Sequence, residues 1–133
     1  MPGDLILTNS MSYGEPYILD IDGCIHDGWV AFTNFKGIEK EYLYYFLASD
    51  FCKAQFNEQV AGGVVQNLNV EKISKTIIHL PSIKEQNKIV KYLDEKCNEI
   101  DKLIESKEKI IEELEQYKKS VIYEYVMGKK EVK

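Results

Sequence analysis

The sequence predicts an α+β chain, a small mixed unit followed by one long C-terminal coiled-coil helix. Three observations predict it. Short apolar-rich runs near the start read as strands, Leu5–Thr8, Pro16–Ile21 and Trp29–Thr33, separated by turn residues such as Asp22-Gly23. Two segments with helical spacing follow. Last comes an uninterrupted stretch from Ser82 to about Met127, without Pro or Gly, whose apolar residues recur every seventh position. The expected division is 1–81 for the mixed unit and 82–133 for the helix and tail.

The chain opens on Met1-Pro2-Gly3-Asp4, a turn, and passes directly into the first strand. Asn9-Ser10-Met11-Ser12-Tyr13-Gly14 is a polar loop with one aromatic residue. Three strands alone make a marginal sheet, so a second layer must cover them. Glu39–Ala48 supplies one helix, with Tyr42, Leu43, Phe46 and Leu47 at helical spacing. Ser49 or Asp50 can cap a second, Phe51 to about Gln59. The Tyr42, Tyr44, Tyr45, Phe46 cluster reads as core rather than as a base-stacking platform.

Ala61 to Asn69 then reads two ways. Gly62 and Gly63 permit backbone conformations that other residues avoid, and the amides of Gln66 and Asn67 can read adenine edges. The same segment also reads as an ordinary loop leading to Asn69, the N-cap of a short helix Val70–Lys75. Thr76–Leu80 has the pattern of a last short strand, ended by Pro81.

The long helix carries its own boundary signals. Ser82 and Glu85 have the spacing of a capping box, and Gly128 stands where a helix end is expected. About 45 residues at 1.5 Å each give roughly 65 Å. Three seven-residue columns form its stripe: Leu93, Ile100, Lys107, Leu114 and Val121; Val90, Cys97, Ile104, Ile111, Lys118 and Tyr125; and Ile89, Lys96, Leu103, Ile110 and Tyr117. The stripe persists for five heptads, which marks it for pairing with another helix. Residues 84–133 hold 12 acidic and 12 basic side chains, so the segment is locally neutral.

Composition excludes several classes. No apolar run approaches the roughly 20 residues needed to span a bilayer, and no signal peptide is expected; the reading is a cytoplasmic protein without a membrane role. Cys24, Cys52 and Cys97 are widely spaced and form no C-x-x-C pair, so they read as reduced thiols. His26 and His79 lack ligand partners nearby, and Asp20, Asp22 and Asp27 lack the pattern of a calcium loop. No nucleophile elbow, P-loop, H-E-x-x-H or dinucleotide fingerprint is present, and the expectation is a chain without catalytic residues, metal or cofactor. All 17 basic residues are Lys, and residues 1–83 carry 10 acidic against 5 basic side chains. Phosphate contacts need positive charge and guanine is most often read by Arg, so composition argues against a strong autonomous DNA binder.

Ordered motifs then carry a resemblance. They are Glu41-Tyr42-Leu43-Tyr44-Tyr45-Phe46-Leu47, Gly63-Val64-Val65-Gln66-Asn67-Leu68-Asn69, Ile78-His79-Leu80-Pro81-Ser82-Ile83-Lys84-Glu85-Gln86 and Ile89-Val90-Lys91-Tyr92-Leu93-Asp94. With Pro2–Thr8, Ile100–Ile104 and Tyr117–Ile122, they make the chain similar to DNA-specificity (S) subunits of type I restriction–modification systems. The resemblance implies the C-terminal part of one target-recognition domain followed by its spacer helix. It implies a non-catalytic subunit that binds double-stranded DNA and docks methyltransferase (modification) subunits, which use S-adenosylmethionine; a restriction subunit joins through the complex.

On this reading DNA contacts are expected from Asn9, Ser10, Ser12, Tyr13, Gly62, Gly63, Gln66 and Asn67. Helix pairing is expected from Leu93, Cys97, Ile100, Leu103, Ile104, Ile110, Ile111, Leu114 and Val121. A family S subunit has two such helices, paired antiparallel. Here a second copy would supply the second one, giving an antiparallel homodimer. The competing expectation is an assembly module, or truncated remnant, that binds methyltransferase or specificity subunits without reading DNA.

Overall fold

The computed structural model describes residues 3–61 and 67–132. Three strands come first: β1 (Leu5–Thr8), β2 (Pro16–Ile18) and β3 (Trp29–Phe32). They form one antiparallel sheet in the order β2-β1-β3. Leu5 pairs with Ile18 on one side and Phe32 on the other. As the centre strand, β1 is apolar on both faces, as its continuous Leu-Ile-Leu run requires. Leu5 and Leu7 point into the core, whereas Ile6 lies on the opposite face, in register with Tyr17 and Ala31.

The helices α1 (Lys40–Ala48), α2 (Asp50–Val60), α3 (Val70–Ser74) and α4 (Ile83–Val126) follow. The break between α1 and α2 is made by Ser49. Its hydroxyl donates to the Phe46 carbonyl at 2.6 Å and accepts from the Cys52 N–H at 3.2 Å, closing one helix and capping the next. Asn69 caps α3 as expected, its side-chain oxygen accepting from the Lys72 N–H at 3.0 Å.

The core joins Leu5 and Leu7 of the sheet to Leu47 of α1, to Cys52, Phe56 and Val60 of α2, and to Leu68. Leu43, Tyr44 and Phe46 pack against it, while Tyr45 lies edge-on to Tyr44 and the Tyr42 hydroxyl reaches the His79 carbonyl, so only part of the aromatic cluster joins the core. Each fully buried apolar side chain here contributes roughly 1.5–3 kcal/mol. Burial of the Cys52 thiol pushes its pKa up to about 12.

Two strand expectations change. The second strand ends at Ile18 rather than Ile21. Thr76–Leu80 is not a strand at all. Its backbone is bonded by side chains instead of a neighbouring strand. Gln55 accepts from the Ile77 N–H at 2.9 Å and donates to the Ile77 carbonyl at 3.0 Å, and the Tyr42 hydroxyl donates to the His79 carbonyl at 2.8 Å.

Gln86, in the first turns of α4, is the one buried polar residue among the described residues and is 0% exposed. Its Oε1 accepts from the Glu39 N–H at 2.8 Å, and its Nε2 donates to the carbonyls of Pro81 at 2.8 Å and Gly37 at 3.1 Å. This also satisfies the backbone N–H of Glu39, the N-cap of α1, whose own side chain makes no cap bond. At the far end, Gly128 adopts φ +68°. The Lys129 N–H then reaches the Glu124 carbonyl at 2.8 Å and the Gly128 N–H the Tyr125 carbonyl at 3.2 Å, a Schellman closure.

The chain divides into two compact units, 1–91 and 92–133. Among the described residues of the second unit none is buried; Leu93, Val121 and Glu124 are half-buried and the rest exposed.

Candidate nucleic-acid interface

The β1–β2 loop is held by Thr8. Its hydroxyl donates to the Ser12 carbonyl at 2.6 Å and accepts from the Glu15 N–H at 2.9 Å, and its carbonyl accepts from the Gly14 N–H at 2.8 Å. Gly14 is needed at φ +86°, where a Cβ would also lie 3.0 Å from the Phe56 ring. Met11, at φ +58°, forms the exposed tip.

Asn9 ties three segments together. Its backbone N–H donates to the Gly28 carbonyl at 3.0 Å, its side-chain amide to the Asp27 carbonyl at 3.0 Å, and its own carbonyl accepts from the Leu68 N–H at 2.8 Å. Ser10 and Asn67 meet in an isolated antiparallel bridge. Asn9, Ser10 and Asn67 therefore come together, and with His26, Asp27 and Gly28 they line a cavity of about 200 Å³. Ser12 and Tyr13 line a different one, of about 220 Å³, with Met11, Glu15, Lys53, Phe56 and Asn57. The Tyr13 hydroxyl donates to Asn57 Oδ1 at 3.0 Å, anchoring that side of the loop to α2. Gly62, Gly63 and Gln66 lie outside the described residues.

The sequence reading missed His26, Asp27 and Gly28. The signal for them is strand register: Thr8 opposite Trp29 brings the residues just before β3 beside those just after β1. The Gly28 N–H points at His26 Nδ1 at 2.9 Å and the Trp29 indole N–H at His26 Nε2 at 3.2 Å. A neutral imidazole has one acceptor nitrogen, so it satisfies one of these donors at a time. Trp29 also packs edge-on against Tyr17, ring centroids 5.6 Å apart, leaving an aromatic face on the sheet beside the polar cavity.

The charges are sparse and mixed. Lys72 Nζ donates to the Asn67 carbonyl at 2.9 Å, and Lys53 pairs with Glu15 at 2.8 Å. The Glu15 carboxylate, by accepting from the Lys53 ammonium, raises the Lys53 pKa. Among the described residues no three His, Cys, Asp or Glu side chains gather to hold a metal ion, and no helix is long and apolar enough to cross a membrane. Chemically, the cavity presents hydroxyl, amide and imidazole groups suited to hydrogen-bonding a base edge.

On α4, Leu93, Cys97, Ile100, Leu103, Ile104, Ile110, Ile111, Leu114 and Val121 share one continuous helical face. Leu93 and Val121 are half-buried; the others are exposed, Leu103 at 62% and Ile111 at 56%.

Comparison with known proteins supplies the frame. A solved chain from work on complex assembly and conformational transition of the type I R-M system shares this fold, with a TM-score of 0.74 at 22% identity. The match covers 92% of the present chain and 30% of that chain, so the protein spans less than a third of its structural relative. No curated protein matches. The model of the type I restriction modification DNA specificity domain matches residues 2–116, across the sheet, the short helices and most of α4. The chain belongs to the family of type I restriction modification DNA specificity domains.

Proposed function

We propose that the chain acts as a DNA-specificity component of a type I restriction–modification complex, in the cytoplasm and without catalysis of its own. The carrying observation is the family match, which runs unbroken from the first strand through most of α4. The first unit would contact duplex DNA through Asn9, Ser10, Ser12, Tyr13 and the Gly62–Asn67 segment, with His26 and Asp27 completing the cavity that Asn9, Ser10 and Asn67 line. The exposed apolar face of α4 would pair with another helix, from a second copy or from another specificity chain. Methyltransferase subunits, which bring S-adenosylmethionine, and through them a restriction subunit, would complete the assembly.

One observation favours a second reading, an assembly module that reads no DNA. Residues 1–83 carry 10 acidic and 5 basic side chains, a poor match to phosphate. Duplex binding titrated against salt separates the two, first with the chain alone and then with the methyltransferase partner. Target reading predicts binding that falls steeply with salt and is lost on Asn67→Ala together with Ser10→Ala. Affinity of the complex that this pair of changes leaves untouched would favour the assembly module.

A further inference from the structure

Beside the apolar stripe of α4 run two columns that any partner helix must meet. On one side stand Asp94, Asp101, Glu108 and Glu115; on the other, Glu99 and Glu113 alternate with Ser106 and Ser120. At about 100° per residue these columns border the stripe directly. Neither contains a lysine. The lysines from Lys91 to Lys119 all lie elsewhere: Lys91, Lys102, Lys109 and Lys119 on the back of the helix, and Lys96, Lys107 and Lys118 within the stripe. Lys96 is already held by Glu99 at 2.7 Å, and Lys109 by Glu105 at 2.9 Å. Asp101 and Glu108 have no lysine three or four residues away in either direction.

Flanking charges set partner choice between paired helices. Two antiparallel copies would set each flank against its own copy, and two parallel copies would set one flank against the other. The antiparallel arrangement puts acid against acid along the Asp94–Glu115 flank, and the parallel one sets that flank against Glu99, Ser106, Glu113 and Ser120, so neither offers it a lysine column. We propose that α4 is built to pair with an α-helix of a different chain, whose own apolar seam is bordered by Lys or Arg, rather than with a second copy. This rests on the reading that the stripe pairs with a helix at all.

The test uses the full chain and two synthetic peptides. One has the sequence of residues 89–125; the other is the same sequence with Asp94, Glu99, Asp101, Glu108, Glu113 and Glu115 each replaced by Lys. Binding is followed by fluorescence anisotropy at about 50 mM and about 500 mM salt, and self-association by sedimentation. The lysine-flanked peptide should bind at least about tenfold tighter than the native-sequence peptide, and high salt should narrow the gap. D101K/E108K in the full chain should weaken that binding and strengthen self-association. Equal binding of the two peptides, or a chain that dimerises more tightly at low salt than at high, would overturn the charge argument while leaving helix pairing intact. Binding of neither peptide, with a monomeric chain, would overturn both.

Discussion

Gln86 shows how one side chain can hold several backbone segments. It is fully buried, and its amide takes one donor and gives two, to groups of residues 37, 39 and 81. Gln86→Leu keeps the bulk but leaves an N–H and two carbonyls without partners. A loss of about 2–4 kcal/mol in urea unfolding is expected. Gln86→Glu should be no better, because a carboxylate would face the two carbonyls that now accept from Nε2. A Glu variant of native stability would show that packing, not hydrogen bonding, sets the cost. Cys52 gives a second residue-scale expectation. Its thiol is buried and its pKa raised to about 12, so near pH 8 it is both shielded and protonated. Cys24 and Cys97 are exposed. A thiol reagent should titrate those two rapidly, and Cys52 only at the rate of unfolding or in denaturant. Three fast thiols in the native protein would contradict the core placement.

At the scale of elements, local signals were legible and tertiary ones were not. β1 runs Leu5–Thr8 as its short apolar run indicated, Ser49 and Asn69 cap the helices they precede, and Gly128 closes α4. The Thr76–Leu80 pattern misled because an extended apolar run says nothing about what completes its hydrogen bonds. The completing group is Gln55, 22 residues away, a distance no local pattern spans. Half of the candidate site failed to show for the same reason: His26 and Asp27 reach Asn9 only through the pairing of β1 with β3. The α4 stripe was legible because a heptad repeat is local. It yields its own prediction. Ile104 and Ile111 are 50% and 56% exposed in the chain alone. I104D/I111D should therefore change the stability of the chain by no more than about 0.5 kcal/mol. The same pair should abolish association with any helical partner, read by light scattering or peptide binding. Association that survives would place the interface elsewhere.

For the molecule as a whole, the division at residue 91 separates two kinds of helical stability. The first turns of α4 are tied down by a buried polar side chain: Gln86 is buried there and bonded to segments distant in sequence. From Tyr92 onward none of the described residues is buried, and the local support consists of ion pairs such as Lys96 with Glu99 and Lys109 with Glu105. Such exposed pairs add little, whereas most helical stability in proteins comes from packing an apolar face. Hydrogen exchange on the chain alone should therefore change along α4. Amides near Gln86 should be protected to the level of α2, and those from about Ile100 to Val121 should exchange orders of magnitude faster. Adding a partner helix should slow exchange across Ile100–Val121 and leave the first unit unchanged, because binding stabilises only what it covers. Protection of Ile100–Val121 in the isolated chain equal to that of α2, and unchanged on dilution, would mean that the stripe is already covered without a partner. Protection that falls on dilution would identify the cover as a second copy, against the charge pattern of the flanks.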